Sequence, residues 1–162
     1  MTELSTLYET DYSAWTLQTA ELIRAGRFTE LDIEHLLTEL SDMSKSERDE
    51  LASRLLILIA HLLKWEYQYQ TLAERWRDFD GRSWQRTIIE QRKRLALRLR
   101  KSPGLKAVVN EVIAEVYPDA VDLAQKETRL PITTFPQNCL YNLTQLLDDD
   151  FYPNCEEEIR YD

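Results

Sequence analysis

Two histidines and one glutamate are the residues whose types and spacing could hold a metal. His35 and Glu39 are four positions apart, which places them on one face of a helix, and His61 lies in the strongest helical pattern of the chain. If their helices face each other, the three side chains form a two-histidine, one-carboxylate set for a divalent metal. Neither histidine has the Glu-x-x-His spacing of di-metal carboxylate bundles, and a lone histidine on an apolar face is commonly a hydrogen-bonded core residue. A metal-dependent enzyme or sensor is therefore an alternative and not the favoured hypothesis.

The two cysteines, Cys139 and Cys155, lack CxxC spacing, so neither a zinc site nor a disulfide framework is indicated. The residues around Cys139 offer no base and no positive charge that would activate a thiolate. We expect Cys139 to be a buried structural thiol, and Cys155 to ionise poorly beside Glu156, Glu157 and Glu158. We identify no catalytic residue, expect no cofactor, and lean against an enzyme.

Charge is distributed unevenly along the chain. The formal net charge is -9, but residues 82–106 carry nine basic residues and a single acidic one, Glu90. The basic residues of this helix are Arg86, Arg92, Lys93, Arg94, Arg98, Arg100 and Lys101. Clustered Lys and Arg are typical of phosphate binding, so nucleic-acid binding through residues 86–101 is a second alternative. It is disfavoured because the acidic body repels a polyanion within a Debye length, roughly 8–10 Å, and because no aromatics are interleaved. A solvated face paired with acidic neighbours such as Asp148–Asp150 is the preferred interpretation.

Trp76 is the aromatic residue that the helical pattern does not place in a core. It is flanked by Arg75 and Arg77, a composition that is frequent at the centre of protein interfaces. We predict contacts with a partner at these three residues and on the basic helix at Arg92, Arg94 and Arg98. The partner is an unknown protein or a second copy of the chain.

The composition limits the elements that can position these residues. The 162 residues are 43% hydrophobic and 30% charged, which suits one folded domain and excludes a disordered chain. Three glycines are too few for a glycine-rich phosphate loop or for many tight hairpins, so the class is all-α. The acidic start does not resemble a signal peptide, and the apolar runs are shorter than the roughly 20 residues of a membrane span. We therefore expect a cytoplasmic protein.

Apolar spacing predicts the first helices. One runs from Asp11 to about residue 25 and is ended by Gly26 in the left-handed conformation. A second runs from Thr29 to about residue 43, with Leu31, Ile33, Leu36, Leu37 and Leu40 at helical spacing. Ser44 and Glu47 have capping-box spacing and predict the start of a third helix, whose apolar residues recur from Leu51 to Tyr69.

The remaining pattern predicts two more helices and a tail. Ser83 begins one helix and Ser102-Pro103 the next, which Pro118 should kink or interrupt. Residues 129–162 form a mostly irregular tail, packed on or trailing the bundle, with one short turn at Leu143–Leu147. Long helices joined by short breaks pack as antiparallel neighbours. We predict a single domain over residues 1–162, an up-and-down bundle of four to five helices.

Several sequence stretches resemble one known family. They include D-Y-S-A-W at 11–15, L-I-R-A-G-R-F-T-E-L-D at 22–32, H-L-L-T-E-L-S-D-M-S-K-S-E-R at 35–48, F-P-Q-N-C at 135–139 and D-D-F-Y-P at 149–153. The chain resembles the bacterial domain-of-unknown-function family twenty-nine, which is abundant in oxygenic photosynthetic bacteria. The resemblance implies an all-helical bundle and no assigned activity. The family tends to have paired glutamates where this chain has Thr38-Glu39, which weakens a carboxylate-based metal site.

The favoured hypothesis is a non-enzymatic interaction protein of the cytoplasm. No recognisable site for chemistry stands out, whereas amphipathic helices, aromatic anchors and segregated charge are all present. These features are typical of a protein that binds another protein or itself.

Overall fold

The computed structural model describes residues 3–76 and 80–153, and within them helices are the only regular secondary structure. Seven α-helices lie in these two ranges: α1 Glu3–Thr10, α2 Tyr12–Arg24, α3 Ile33–Lys64, α4 Gln70–Arg75, α5 Arg82–Lys101, α6 Val109–Thr128 and α7 Leu143–Leu147. A π-helical turn, Trp65–Tyr69, joins α3 to α4, and short 3₁₀ turns lie at Phe28–Glu30, Pro103–Val108 and Ile132–Thr134. The predicted all-α class is confirmed, and the fold is consistent with a helical bundle. No helix in the described ranges is both long enough and apolar enough to cross a membrane.

The chain divides into two compact units, one ending at Ser46 and the other beginning at Glu47. The first unit holds α1, α2 and the beginning of α3. Asp11 caps α2, since its carboxylate accepts the backbone N–H of Ala14 at 3.0 Å. Gly26 follows α2 with φ +70°, as predicted for a residue that ends a helix in the left-handed conformation. The single domain expected over residues 1–162 stays a prediction.

The second unit has an extensive apolar core. It is built from the second half of α3 and the buried sides of α5 and α6. Phe135, Tyr141 and Leu146 add to this core from the C-terminal stretch, so residues 129–153 pack on the helices. The short turn predicted at Leu143–Leu147 is confirmed as α7, and Asn142 and Gln145 form a capping box at its start.

The predicted helix start at Ser44 is wrong, because α3 runs without a break from Ile33 to Lys64. A capping box would require the Glu47 carboxylate to bond back to the Ser44 backbone. Glu47 instead accepts hydrogen bonds from Arg98 at 2.8 Å and from Ser102 at 2.9 Å. The tertiary contact therefore uses the carboxylate that the local motif assigned to a cap, and the backbone remains helical.

Pro118 also fails to interrupt its helix, since α6 is continuous from Val109 to Thr128. Proline removes one backbone donor, here the partner of the Ala114 carbonyl. Residues 114 and 118 are both exposed, so water can reach that carbonyl. The buried residues Val116 and Ala120 on either side hold the helix against the core across this position.

Candidate functional site

The proposed metal residues all lie on α3, but His61 has a different environment from the other two. His35 and Glu39 belong to the first unit and His61 to the second. The Nδ1–H of His61 donates to the Ile57 carbonyl at 2.9 Å, and burial lowers the pKa of this histidine. Within residues 3–76 and 80–153, no group of three or more His, Cys, Asp or Glu side chains is placed to hold a metal ion. The metal-dependent alternative is therefore not supported, since it required His61 on a helix facing the other two residues.

Glu39 is held by two phenols instead. The hydroxyl of Tyr8 donates to Oε1 at 2.6 Å, and the hydroxyl of Tyr12 donates to Oε2 at 2.7 Å. These hydrogen bonds favour the carboxylate and keep the pKa of Glu39 below its usual value, while they raise the pKa of Tyr8 to about 12. The metal hypothesis used Glu39 as a ligand, and the sequence did not reveal its contacts with Tyr8 and Tyr12. A contact between α3 and residues 27 and 31 positions earlier leaves no trace in helical periodicity.

His35 is held in the same way, by an aspartate. Its Nδ1–H donates to Asp32 Oδ2 at 2.5 Å, and its ring stacks on Tyr8 with centroids 3.9 Å apart. The indole N–H of Trp15 donates to Asp32 at 3.1 Å. Burial opposes ionisation of Asp32, but the hydrogen bonds from His35 and Trp15 outweigh it and lower the pKa of this carboxyl. We call Tyr8, Tyr12, Trp15, Asp32, His35 and Glu39 the polar cluster.

The polar cluster fixes which side of α3 faces α1 and α2 in the first unit. At 3.6 residues per turn, His35 and Glu39 lie roughly 120–160° around the helix from Ile33. Ile33, Leu37 and Leu40 therefore point away from α1 and α2, and they are 53%, 62% and 60% exposed. Met43, at the edge of this side, is 63% exposed. We call these four residues the outer face.

The outer face reverses the arrangement expected of an amphipathic helix. A surface helix normally buries its apolar side and exposes its polar side. The first part of α3 packs with its polar side, through the polar cluster, and leaves its apolar side exposed. Apolar spacing identified Ile33, Leu37 and Leu40 as one helix side, but it did not indicate whether that side is buried or exposed. An exposed apolar helix side of this kind is typical of an interaction surface.

Arg92, one of the predicted interaction residues, lies inside the second unit. Its side chain is 1% exposed, and it donates to the carbonyls of Leu146 at 2.9 Å, Gln145 at 3.3 Å and Phe151 at 2.6 Å. Burial lowers the pKa of this guanidinium, although the nearby acidic residues oppose that shift. A buried arginine bonded to three carbonyls fixes the C-terminal stretch, and it presents no charge to a partner.

The other predicted interaction residues lie on the surface. Arg94 pairs with Glu90 at 2.8 Å, and Arg98 pairs with Glu47 at the same distance. These ion pairs agree with a basic helix whose charges meet acidic neighbours. Arg75 and Trp76 are exposed at the end of α4, whereas Arg77 lies outside the described residues. Their contact with a partner stays a prediction.

Cys139 is half-buried, and its Sγ lies 3.6 Å from the carbonyl oxygen of Tyr141. Burial raises the pKa of this thiol, so the thiolate is disfavoured at neutral pH. This environment agrees with the structural thiol that the sequence predicts. Cys155 lies outside the described residues.

Comparison with known proteins gives a family. Residues 7–152 match the family described as domain of unknown function DUF29, a description that includes no reaction and no ligand. Neither the curated proteins nor the solved structures include a match to this chain. The family match covers most of the chain and agrees with the resemblance seen in its sequence motifs. The chain therefore belongs to the DUF29 family.

Proposed function

We propose that this chain is a non-enzymatic interaction protein of the cytoplasm, and that it pairs with a second copy of itself through the outer face. The observation that carries the proposal is the reversed helix side. Ile33, Leu37 and Leu40 are exposed, while His35 and Glu39 are committed to hydrogen bonds inside the unit. The polar cluster holds the helix in this orientation, so the apolar side is presented to a partner.

A second copy is favoured as the partner because the first unit buries few of its own apolar side chains. Leu4, Trp15 and Thr19 are its buried residues within the described range, whereas eight of its large apolar side chains are exposed. A unit with so small a core needs a cover whenever it is folded. Another copy of the chain is always present with it, as in obligate homodimers whose folded state depends on pairing.

The charges beside the outer face permit such a pairing. In an antiparallel pair related by a two-fold axis, Leu37 of one copy lies opposite Leu40 of the other. Glu34, at the flank, then meets the uncharged Ser41 of the other copy, so the pairing brings no like charges together. Apolar residues at steps of three and four are also what helix-on-helix packing requires.

The test is the mass of the particle in solution, measured by light scattering over a range of concentrations. We expect a dimer for the natural chain and a monomer for the double variant Leu37→Glu/Leu40→Glu, because paired glutamates cannot be buried in an apolar contact. Thr38→Glu adds a charge on another side of the same helix and should leave the dimer intact. A natural chain that stays monomeric at all concentrations would overturn the pairing.

A cross-link gives a second readout that does not depend on loss of folding. Leu37→Cys and Leu40→Cys proteins, each with Cys139 and Cys155 changed to Ser, are mixed and oxidised. The antiparallel pairing predicts a mixed disulfide in high yield, since Cα atoms must lie within about 7 Å to be bridged. A Thr38→Cys protein in place of either partner should cross-link poorly, and equal yields would contradict the proposed geometry.

A further inference from the structure

A second exposed surface lies on α5, in the other unit. Arg86, Ile89, Lys93, Leu97 and Arg100 follow one another at steps of three and four residues. At 3.6 residues per turn they fall within an arc of about 80°, so they form one narrow stripe along the helix. All five are exposed, including the apolar Ile89 at 52% and Leu97 at 48%. We call them the basic stripe.

The charges of the basic stripe are not paired within the described part of the chain. Other cations of α5 have carboxylate partners: Arg82 pairs with Asp80, Arg94 with Glu90 and Arg98 with Glu47. Arg86, Lys93 and Arg100 have no carboxylate of residues 3–76 and 80–153 within 4.0 Å. The chain has a large excess of acidic residues, yet none of those in the described ranges pairs with these three cations.

A groove runs beside the stripe. One wall is α5, with Lys93 and Arg100, and the other includes Leu147, Asp149 and Tyr152. The second wall is held in place by buried Arg92, which also lines the groove and donates to the carbonyls of Leu146 and Phe151. A groove whose walls are fixed in advance loses little conformational freedom when a partner binds.

We propose that this groove binds an acidic amphipathic helix of a partner protein. From Arg86 to Arg100 the stripe rises by 14 steps of 1.5 Å, or about 21 Å, which is close to four helical turns. Its cations are seven residues apart, and apolar residues lie between them. A helix with carboxylates at positions i, i+7 and i+14 and apolar residues between them matches both the charge and the spacing.

The opposite wall gives this helix a fixed rotation. Asp149 and Asp150 repel carboxylates, so the partner turns its acidic side to α5 and a neutral or basic side to that wall. The same two aspartates, together with Ile89 and Leu97, disfavour a nucleic acid. A phosphate backbone is repelled by the acidic wall and leaves the apolar residues of the stripe uncovered.

The test uses a synthetic helical peptide with glutamates seven residues apart and leucines between them, and measures its binding to the full chain by fluorescence polarisation. We expect saturable binding that Lys93→Glu weakens by about tenfold or more, because reversal places like charges together at the centre of the stripe. Ile89→Asp should weaken binding as well. Lys126→Glu makes the same charge change on α6 and should leave affinity unchanged.

Three results would overturn the proposal. The first is equal binding of a peptide with the same composition but scrambled spacing. The second is Lys93-dependent binding of a DNA or RNA duplex where the peptide does not bind. The third is a change in the mass of the chain in Lys93→Glu without peptide, which would assign the stripe to a second copy. The Leu37→Glu/Leu40→Glu variant should still bind the peptide, so failure of the pairing and failure of this inference can be told apart.

Discussion

The two halves of α3 differ in what covers their apolar residues. Both carry leucine and isoleucine at steps of three and four, and the helix is continuous between them. From Ile33 to Ser46 no residue is buried, whereas Leu51, Leu55 and Leu58 in the second half are completely buried. The first half is fixed by hydrogen bonds of its polar side and the second by an apolar core. Apolar periodicity therefore marks a side that needs a cover, but it does not say whether the same chain provides it.

The largest expected difference in stability comes from truncating one leucine to alanine in each half of α3. Leu58→Ala should lower the free energy of unfolding by about 2–5 kcal/mol, since it leaves a cavity in a packed core. Leu40→Ala should change it by less than about 0.5 kcal/mol in a dilute, monomeric sample, because that side chain is already in water. Urea denaturation measures both. Equal losses would mean that the first half is covered within the chain, and the comparison would fail.

The polar contacts of the second unit can be tested with two arginines of α5. Arg92→Ala should cost about 2–3 kcal/mol, because it removes the donor of the buried Leu146 carbonyl and of the part-buried carbonyls of Gln145 and Phe151. Arg94→Ala is the matched control, and it should cost no more than about 0.5 kcal/mol because its pair with Glu90 is exposed. Thermal melts of the two variants should therefore separate clearly. Similar melting temperatures would show that the C-terminal stretch is held by its apolar contacts alone.

The packing of the two units can be compared at two glycines. Gly26 and Gly81 both have positive φ, near +70°, which costs a residue with a side chain about 1–2 kcal/mol. Nothing lies within 4 Å of a Cβ added at Gly26, whereas one at Gly81 would lie 2.5 Å from the Tyr69 ring. Gly81→Ala should therefore be the more destabilising change in calorimetry. Equal effects would indicate that Tyr69 moves aside at little cost.

The smallest expected effect is the pH dependence that each half of α3 contributes. Hydrogen bonds lower the pKa of Glu39 in the first half, from Tyr8 and Tyr12, and of Glu47 in the second, chiefly from Ser102 and Arg98. When folding lowers the pKa of a carboxyl group, the group stabilises the folded chain at pH values above its pKa in the unfolded chain, about 4.3. This stability is lost as the pH falls through the pKa in the folded chain. Glu39→Gln and Glu47→Gln should each reduce the loss of stability between pH 7 and pH 3. A variant with an unchanged pH profile would show that its carboxylate is not held in solution.

Much of the fold follows from local signals. Gly26 as a helix end and the short turn at Leu143–Leu147 were predictable because they depend on a few neighbouring residues, and the all-α class was predictable because the composition is poor in glycine. The Ser44 prediction failed because Glu47 has a tertiary partner 51 residues away in Arg98. The metal prediction grouped His35 with Glu39 correctly on one helix side, but it did not anticipate that Asp32 and two tyrosines bind them.

The amino-acid sequence by itself determined the helices, their apolar sides and the segregation of charge, because these depend on residue type and on spacing along a helix. The tertiary structure decided which apolar side is covered and which cations are paired. Leu37 and Leu55 occupy equivalent positions in one helical pattern, yet one is exposed and the other buried. The difference arises because packing depends on partners distant in sequence. In the first half of α3 the polar cluster leaves the apolar side exposed, and in the second half the core buries it.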